Sequence, residues 1–234
     1  TNAHLYPQAA FVDVQADKVT VFVSTQSPQS NRDELAKFLG RKEETVEVTA
    51  TFLGGGFGRR LNVEVAFEAA RLSRAVGKPV HVGWTRSEEF QQGYLRPATH
   101  SVFKGSLQNG KIAALEHQQA SGDVFFSFFP GAAATVLGAD FGSWRGAQIH
   151  YNGVTNRRTV AERVKLPIRT GPWRSLGLLA NTFALESFID ELAHAAGADP
   201  LEFRLAHFAA DEEGTRFKNV LQAAAEKAGW TTPL

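Results

Sequence analysis

Gly54-Gly55-Gly56-Phe57-Gly58-Arg59-Arg60 sets four glycines in five positions between a β-rich run, residues 46–53, and a helical pattern. Removing side chains there lets a ligand approach the backbone, and it permits positive φ angles. A loop of this kind ahead of a helix aims several N–H groups at one spot, a seat for an anion or pyrophosphate. Arg59 and Arg60 would add bidentate donors. The chemistry indicated is binding of something large and phosphorylated. The plain alternative is a tight strand-to-helix turn, although a turn needs only one or two special conformations.

The spacing excludes the common nucleotide loops. No Gly-Lys-Ser/Thr ending is present, so this is not a P-loop. Gly54-x-Gly56-x-Gly58 is not the dinucleotide spacing, and the run at 80–84 ends in Thr85-Arg86 where an acid would be expected. A second candidate is Arg169-Thr170-Gly171-Pro172-Trp173-Arg174-Ser175-Leu176-Gly177, whose Gly-Pro turn would present one guanidinium from a rigid loop. Arg stacked on Trp at the surface is the competing reading. A third is Ser24-Thr25-Gln26-Ser27-Pro28, polar residues at a strand end, which taken alone read as a turn. The seven histidines (His4, His81, His100, His117, His150, His194, His207) form no i, i+4 pair and read as packed or surface residues. There is no G-x-S-x-G elbow and no cysteine, which removes thiol nucleophiles, thiolate zinc and the usual iron–sulfur ligands.

Positioning these loops requires a mixed framework. Residues 9–16 and 19–23 alternate as a hairpin turned at Asp17-Lys18. Asn31 would cap a helix over 32–39, ended by Gly40. The strand at 46–53 precedes the Gly-rich loop, and a helix follows over 62–76 with Val65, Ala69, Leu72 and Val76 as its apolar stripe. A buried strand follows at 80–84. Residues 98–107 and 111–121 form a hairpin through Asn109-Gly110, the preferred type I′ pair. Residues 123–147 read as a long apolar connection, and 157–166 return to strand character. Helices follow over 181–196, with Leu185, Phe188, Ile189, Leu192 and Ala196 on one face, from Asp199-Pro200-Leu201-Glu202 onward, and over 215–227. The class is α+β, mixed sheets with packed helices.

Apolar residues at 43% and charged residues at 21% describe an ordinary globular chain, and the net charge of +1 supplies no field for nucleic acid. No apolar run is long enough to cross a bilayer and no signal peptide opens the chain. Without a single methionine, the 234 residues read as a piece of a longer protein.

Thr25-Gln26, the 54–60 loop, and Trp173-Arg174-Ser175-Leu176-Gly177 leading to Phe183-Ala184-Leu185-Glu186-Ser187-Phe188 occur in an order that resembles the molybdenum hydroxylases, the large subunits of the xanthine dehydrogenase and aldehyde oxidase family. The Gly-Phe-Gly-Arg-Arg form, Trp84-Thr85-Arg86, Gly93-Tyr94-Leu95-Arg96-Pro97-Ala98 and Asp199-Pro200-Leu201-Glu202-Phe203-Arg204 are similar to the isoquinoline 1-oxidoreductase β-subunit branch. The resemblance implies that 1–234 is the first lobe of a molybdopterin-binding domain, with a β-rich part at 1–122, a connection at 123–160 and a helical part at 161–234. The second lobe, with the catalytic glutamate base, would be absent and the piece inactive alone.

The implied cofactor is molybdopterin, as its cytosine dinucleotide, carrying molybdenum with no direct protein ligand from this chain. Gln26 would hydrogen-bond the oxo group on the metal. Gly55, Gly56, Phe57, Gly58 and Arg59 would line the pterin, and Arg174 would stabilise charge near the substrate. The implied reaction is hydroxylation of an N-heterocycle or oxidation of an aldehyde with water as oxygen source. Electrons would leave through [2Fe-2S] clusters on a partner small subunit, in a bacterial cytoplasm or periplasm. Many relatives follow Gly-Phe-Gly with Gly-Lys-Glu, where this chain has Arg59-Arg60-Leu61. A non-catalytic nucleotide- or partner-binding module is the alternative.

Overall fold

The computed structural model describes residues 2–127, 138 and 140–230. The chain divides into two compact units, Thr1–Arg96 with Pro167–Arg174, and Pro97–Leu166 with Ser175–Leu234. Thus an eight-residue piece of the helical third belongs in space with the β-rich part.

The first unit is built on a four-stranded sheet of order β3-β2-β1-β4. β1 (Ala9–Val14) and β2 (Val19–Val23) form the expected hairpin, and alternate residues Ala10, Val12, Val19, Val21 and Val23 are buried. This is the period of two required of a sheet with one covered face. α1 (Pro28–Leu39) carries the chain to β3 (Val46–Ala50), parallel to β2. It starts at Pro28, a favourable first helical residue, so Asn31 is an interior residue and not the expected cap. Gly40 ends it in the left-handed conformation.

β3 stops at Ala50, which lengthens the loop ahead of the glycines. α2 (Glu64–Val76) packs on β1 and β4 through Val65, Ala66, Ala69, Ala70 and Ser73. Leu72 and Val76 are exposed, so the apolar stripe is rotated from the expected one toward the small residues. β4 (Val80–Gly83) is an edge strand with alternate residues exposed, not a buried one. After it comes α3 (Arg86–Gln92), which the hydrophobic pattern does not reveal.

The second unit holds a three-stranded sheet of order β5-β6-β7. β5 (Thr99–Gln108) and β6 (Lys111–Ser121) turn through Asn109 and Gly110, both at positive φ as a type I′ pair requires. β7 (Asn156–Arg163) lies parallel to β6. Around it run α4 (Phe141–Trp144), α5 (Leu178–Ala195), α6 (Pro200–Ala206) and α7 (Glu212–Ala228). Leu185, Ile189 and Leu192 of α5 join Ile112, Leu115 and Tyr151 in the core. Asp199 caps α6, accepting from the N–H groups of Leu201 and Glu202.

Of the apolar connection at 123–147, Phe128, Phe129, Pro130, Gly131 and Ala132 to Ala134 lie outside the described residues. At its start, one Asp140 carboxylate oxygen accepts from the N–H groups of Val124, Phe125 and Phe126 at 2.6–2.8 Å.

Candidate functional site

The site belongs to the first unit. β2 ends at Val23, and Thr25 is buried just beyond it, its hydroxyl bonded to Asn31 of α1 and accepting from the Ser27 N–H at 3.0 Å. Asn31 also donates to the Leu61 carbonyl at 3.0 Å. Gln26 is thereby held at a strand end, its own N–H bonded to the Arg60 carbonyl at 2.9 Å and its side chain exposed. The Gln26 Oε1 accepts from the Gly58 N–H at 3.0 Å, which leaves the Nε2 hydrogens without a partner among the described residues. A β-carbon on Gly56 would collide with this amide, so glycine is required there for Gln26 to lie across the loop.

The Gly-rich loop takes the conformations its composition permits. Gly54, Gly55, Phe57 and Gly58 all have positive φ, and Phe57 is the one non-glycine among them. Gly58 faces the carbonyl of Pro172, which occupies the space of a β-carbon. The segment Pro167–Arg174 is held against the loop by the Arg174 N–H, which donates to the Phe57 carbonyl at 2.9 Å. Leu95 pairs with this segment as an isolated bridge to Thr170. The N–H groups of Gly55, Gly56 and Phe57 have no acceptor among the described residues, although Gly56 is buried. Buried backbone donors are nearly always paired, which singles out the Gly56 N–H, while those of half-buried Gly55 and exposed Phe57 are open to solvent.

Arg174 is exposed and its guanidinium has no partner among the described residues. Its backbone carbonyl is fixed by Arg96 Nη2 at 2.7 Å. The arginine lying over the Trp173 ring, 5.4 Å from its centroid, is Arg96, so stacking does not occupy Arg174. Gln26, Gly55, Gly56, Phe57, Gly58 and Arg174 are therefore brought together by hydrogen bonds within one unit.

Arg59 and Arg60 behave differently from the sequence expectation of free donors. Both are buried, at 1% and 0% exposure. The Arg59 guanidinium lies 4.6 Å from the Tyr94 ring centroid and 5.7 Å from that of Trp84, and it pairs with Glu64 at 2.8 Å. Arg60 donates to the Tyr6 carbonyl at 2.6 Å. Their side chains brace the loop from within and offer no bidentate fork to a ligand. Burial holds Arg60 below the ordinary arginine value, with Glu89 opposing.

Sequence reasoning passed over Glu89 and His4. Glu89 of α3 is buried and accepts from the Gln8 N–H at 2.8 Å. α3 starts with a reciprocal capping box between Thr85 and Glu88, a Thr-x-x-Glu signal present in the sequence. His4 is buried with Nε2 3.0 Å from the Gly56 carbonyl.

The sequence profile of the molybdopterin cofactor-binding domain matches residues 1–208, and the chain belongs to this family, within the xanthine dehydrogenase and aldehyde oxidase superfamily. It is 30% identical over 232 residues to isoquinoline 1-oxidoreductase subunit beta of Brevundimonas diminuta, covering 98% of this chain and 29% of that protein. It is 34% identical over 202 residues to the aldehyde oxidoreductase molybdenum-binding subunit PaoC of Escherichia coli K12, covering 85% of this chain and 26% of the relative. The aldehyde oxidoreductase structure from Desulfovibrio gigas superposes with a TM-score of 0.74 at 22% identity, over 97% of this chain and 26% of that one. The chain thus spans less than a third of the length of each of these relatives. The α+β fold of mixed sheets and packed helices is that of their cofactor-binding lobe.

Proposed function

We propose that this chain is the first lobe of the molybdopterin-binding domain of a molybdenum-dependent oxidoreductase, in the isoquinoline 1-oxidoreductase branch. The observation that carries the reading is the run of N–H groups at Gly55, Gly56 and Phe57, flanked by the Nε2 of Gln26 and the guanidinium of Arg174, all without a partner among the described residues. These donors suit a large, acceptor-rich, anionic group such as a pterin dinucleotide. When bound, that cofactor supplies two-electron redox chemistry with water as the oxygen source. Gln26 would donate to an oxygen on the metal, and the loop backbone would grip the pterin. Arg59 contributes through its backbone and its inward brace.

Arg174 carries its positive charge on an exposed guanidinium from a backbone anchored to Phe57, and would stabilise negative charge developing on a substrate oxygen or ring nitrogen. The substrate class is an N-heterocycle or an aldehyde. A cytosine dinucleotide form of the cofactor, a [2Fe-2S] small subunit as electron acceptor, and a second lobe carrying the general base complete the proposal, so the isolated lobe has no turnover of its own. The test is elemental analysis of the full-length protein co-expressed with its small subunit. Molybdenum in the purified complex supports the reading. A complex free of molybdenum that is stabilised against heat by NADP would replace it with a nucleotide-binding module.

A further inference from the structure

The inner side of the Gly-rich loop is lined by the segment from Asn2 to Tyr6, which engages its carbonyl groups in turn. The Leu5 N–H donates to Gly54 O at 3.0 Å, His4 Nε2 lies 3.0 Å from Gly56 O, and Asn2 Nδ2 donates to Phe57 O at 3.2 Å. In a trans peptide the C=O and the following N–H point in opposite directions. Drawing the Gly54 and Gly56 carbonyls inward therefore turns the N–H groups of Gly55 and Phe57 outward, and these are among the donors left unpartnered. Of these contacts, His4 is the one made by a side chain to a peptide that has a free outward N–H.

We propose that His4 is a positioning residue for the ligand: its Nε2–H, together with the Arg59 N–H that donates to the same oxygen at 2.9 Å, holds the Gly56 carbonyl inward and so aims the Phe57 N–H at the cofactor. The inference rests on reading the loop as the cofactor's seat. The Gly56 carbonyl, an acceptor at hydrogen-bond distance, selects this tautomer against the more distant Glu89 carboxylate, which by itself would favour a proton on Nδ1. Among the described residues His4 Nδ1 has no hydrogen-bond partner; it faces Glu89 Oε1 at 3.7 Å, a carboxylate oxygen that likewise has none among them and lies 3.5 Å from Arg59 Nε. The groups facing the ring are thus Glu89 from α3 and the two buried cations, Arg59 and Arg60. Burial lowers the His4 pKa, the Gly56 carbonyl and Glu89 oppose this, and both arginines reinforce it. A neutral ring with one proton must place it on Nε2 to satisfy Gly56. The ring is also stacked on Phe57, centroids 6.2 Å apart and 9° from parallel, which restrains its rotation.

The test compares wild type, His4→Phe and His4→Gln in the full-length protein. Phenylalanine keeps a ring against Phe57 without a donor, and glutamine keeps an N–H donor. Amide exchange at Gly58 and Arg59, whose N–H groups are bonded to Gln26 Oε1 and to the Gly56 carbonyl, is measured on cofactor-stripped protein, and molybdenum retention is measured on the loaded complex after gel filtration. Loss of one buried hydrogen bond predicts about tenfold faster exchange and about tenfold faster molybdenum loss in His4→Phe, with His4→Gln returning toward wild type. Wild-type exchange in His4→Phe overturns the proposal, as does a His4→Gln protein no better than His4→Phe. Wild type devoid of molybdenum would overturn the cofactor reading alone, because the exchange comparison still decides whether His4 orders the loop.

Discussion

Gly58 has φ +96 and faces the Pro172 carbonyl, so a methyl group there must displace the 167–174 segment or force the backbone out of its conformation. Gly58→Ala is expected to cost about 1–3 kcal/mol, read from urea unfolding, and to weaken the Arg174 N–H bond to Phe57. The Arg174 guanidinium is exposed and unpartnered among the described residues, so its removal should spare the fold, whereas removing the Gln26 side chain also takes away the acceptor of the Gly58 N–H. Turnover of the full-length complex should fall about 10²-fold in Gln26→Ala and in Arg174→Ala, the scale of losing one fixed donor at a site of developing charge. Wild-type turnover in both would remove them from the site.

At the scale of elements, local signals were readable and non-local ones were not. Asn109-Gly110 specified its hairpin, and Gly40 marked the end of α1, because each encodes a left-handed backbone locally. Gly55, Gly56, Phe57, Gly58 and Arg174 were legible as candidates from their Gly-rich and Gly-Pro turns, whereas Gln26, which taken alone reads as a turn residue, was singled out by the family resemblance. The parallel pairings of β2 with β3 and β6 with β7 depend on contacts that no local pattern encodes. The inward turn of Arg59 and Arg60 was hidden for the same reason, as Glu64, Glu89 and Tyr94 reach them from α2, α3 and beyond. α3 could have been read from Thr85 and Glu88. Thr85→Ala should cost about 1 kcal/mol and raise amide exchange in α3, loosening the helix that carries Glu89. Unchanged exchange would mean that packing alone holds α3.

Acid sensitivity belongs to the whole molecule. Burial keeps His4, His117 and His207 below the ordinary histidine value of 6.5, so the unfolded chain binds protons first as pH falls. The sign follows: stability is unaffected well above that value and declines as pH drops through it. Glu186 extends the loss further. Its burial opposes ionisation, but hydrogen bonds from His150, Tyr151 and Arg204 outweigh this and lower its pKa, so its contribution disappears below the ordinary value of 4.5. Glu34, raised by burial, works in the opposite sense in that lower range. Urea midpoints should therefore fall between about pH 7 and about pH 5, before carboxylates titrate. A flat profile across that interval would contradict neutral burial of the three rings.

The central claim is that the unpartnered donors of the Gly-rich loop seat a molybdopterin. Metal analysis of the full-length protein, purified with its small subunit, tests it most directly. Near-stoichiometric molybdenum is expected in the wild type, with a marked loss in Gly58→Ala. Molybdenum absent from the wild type, or retained undiminished when the loop is distorted, would contradict it.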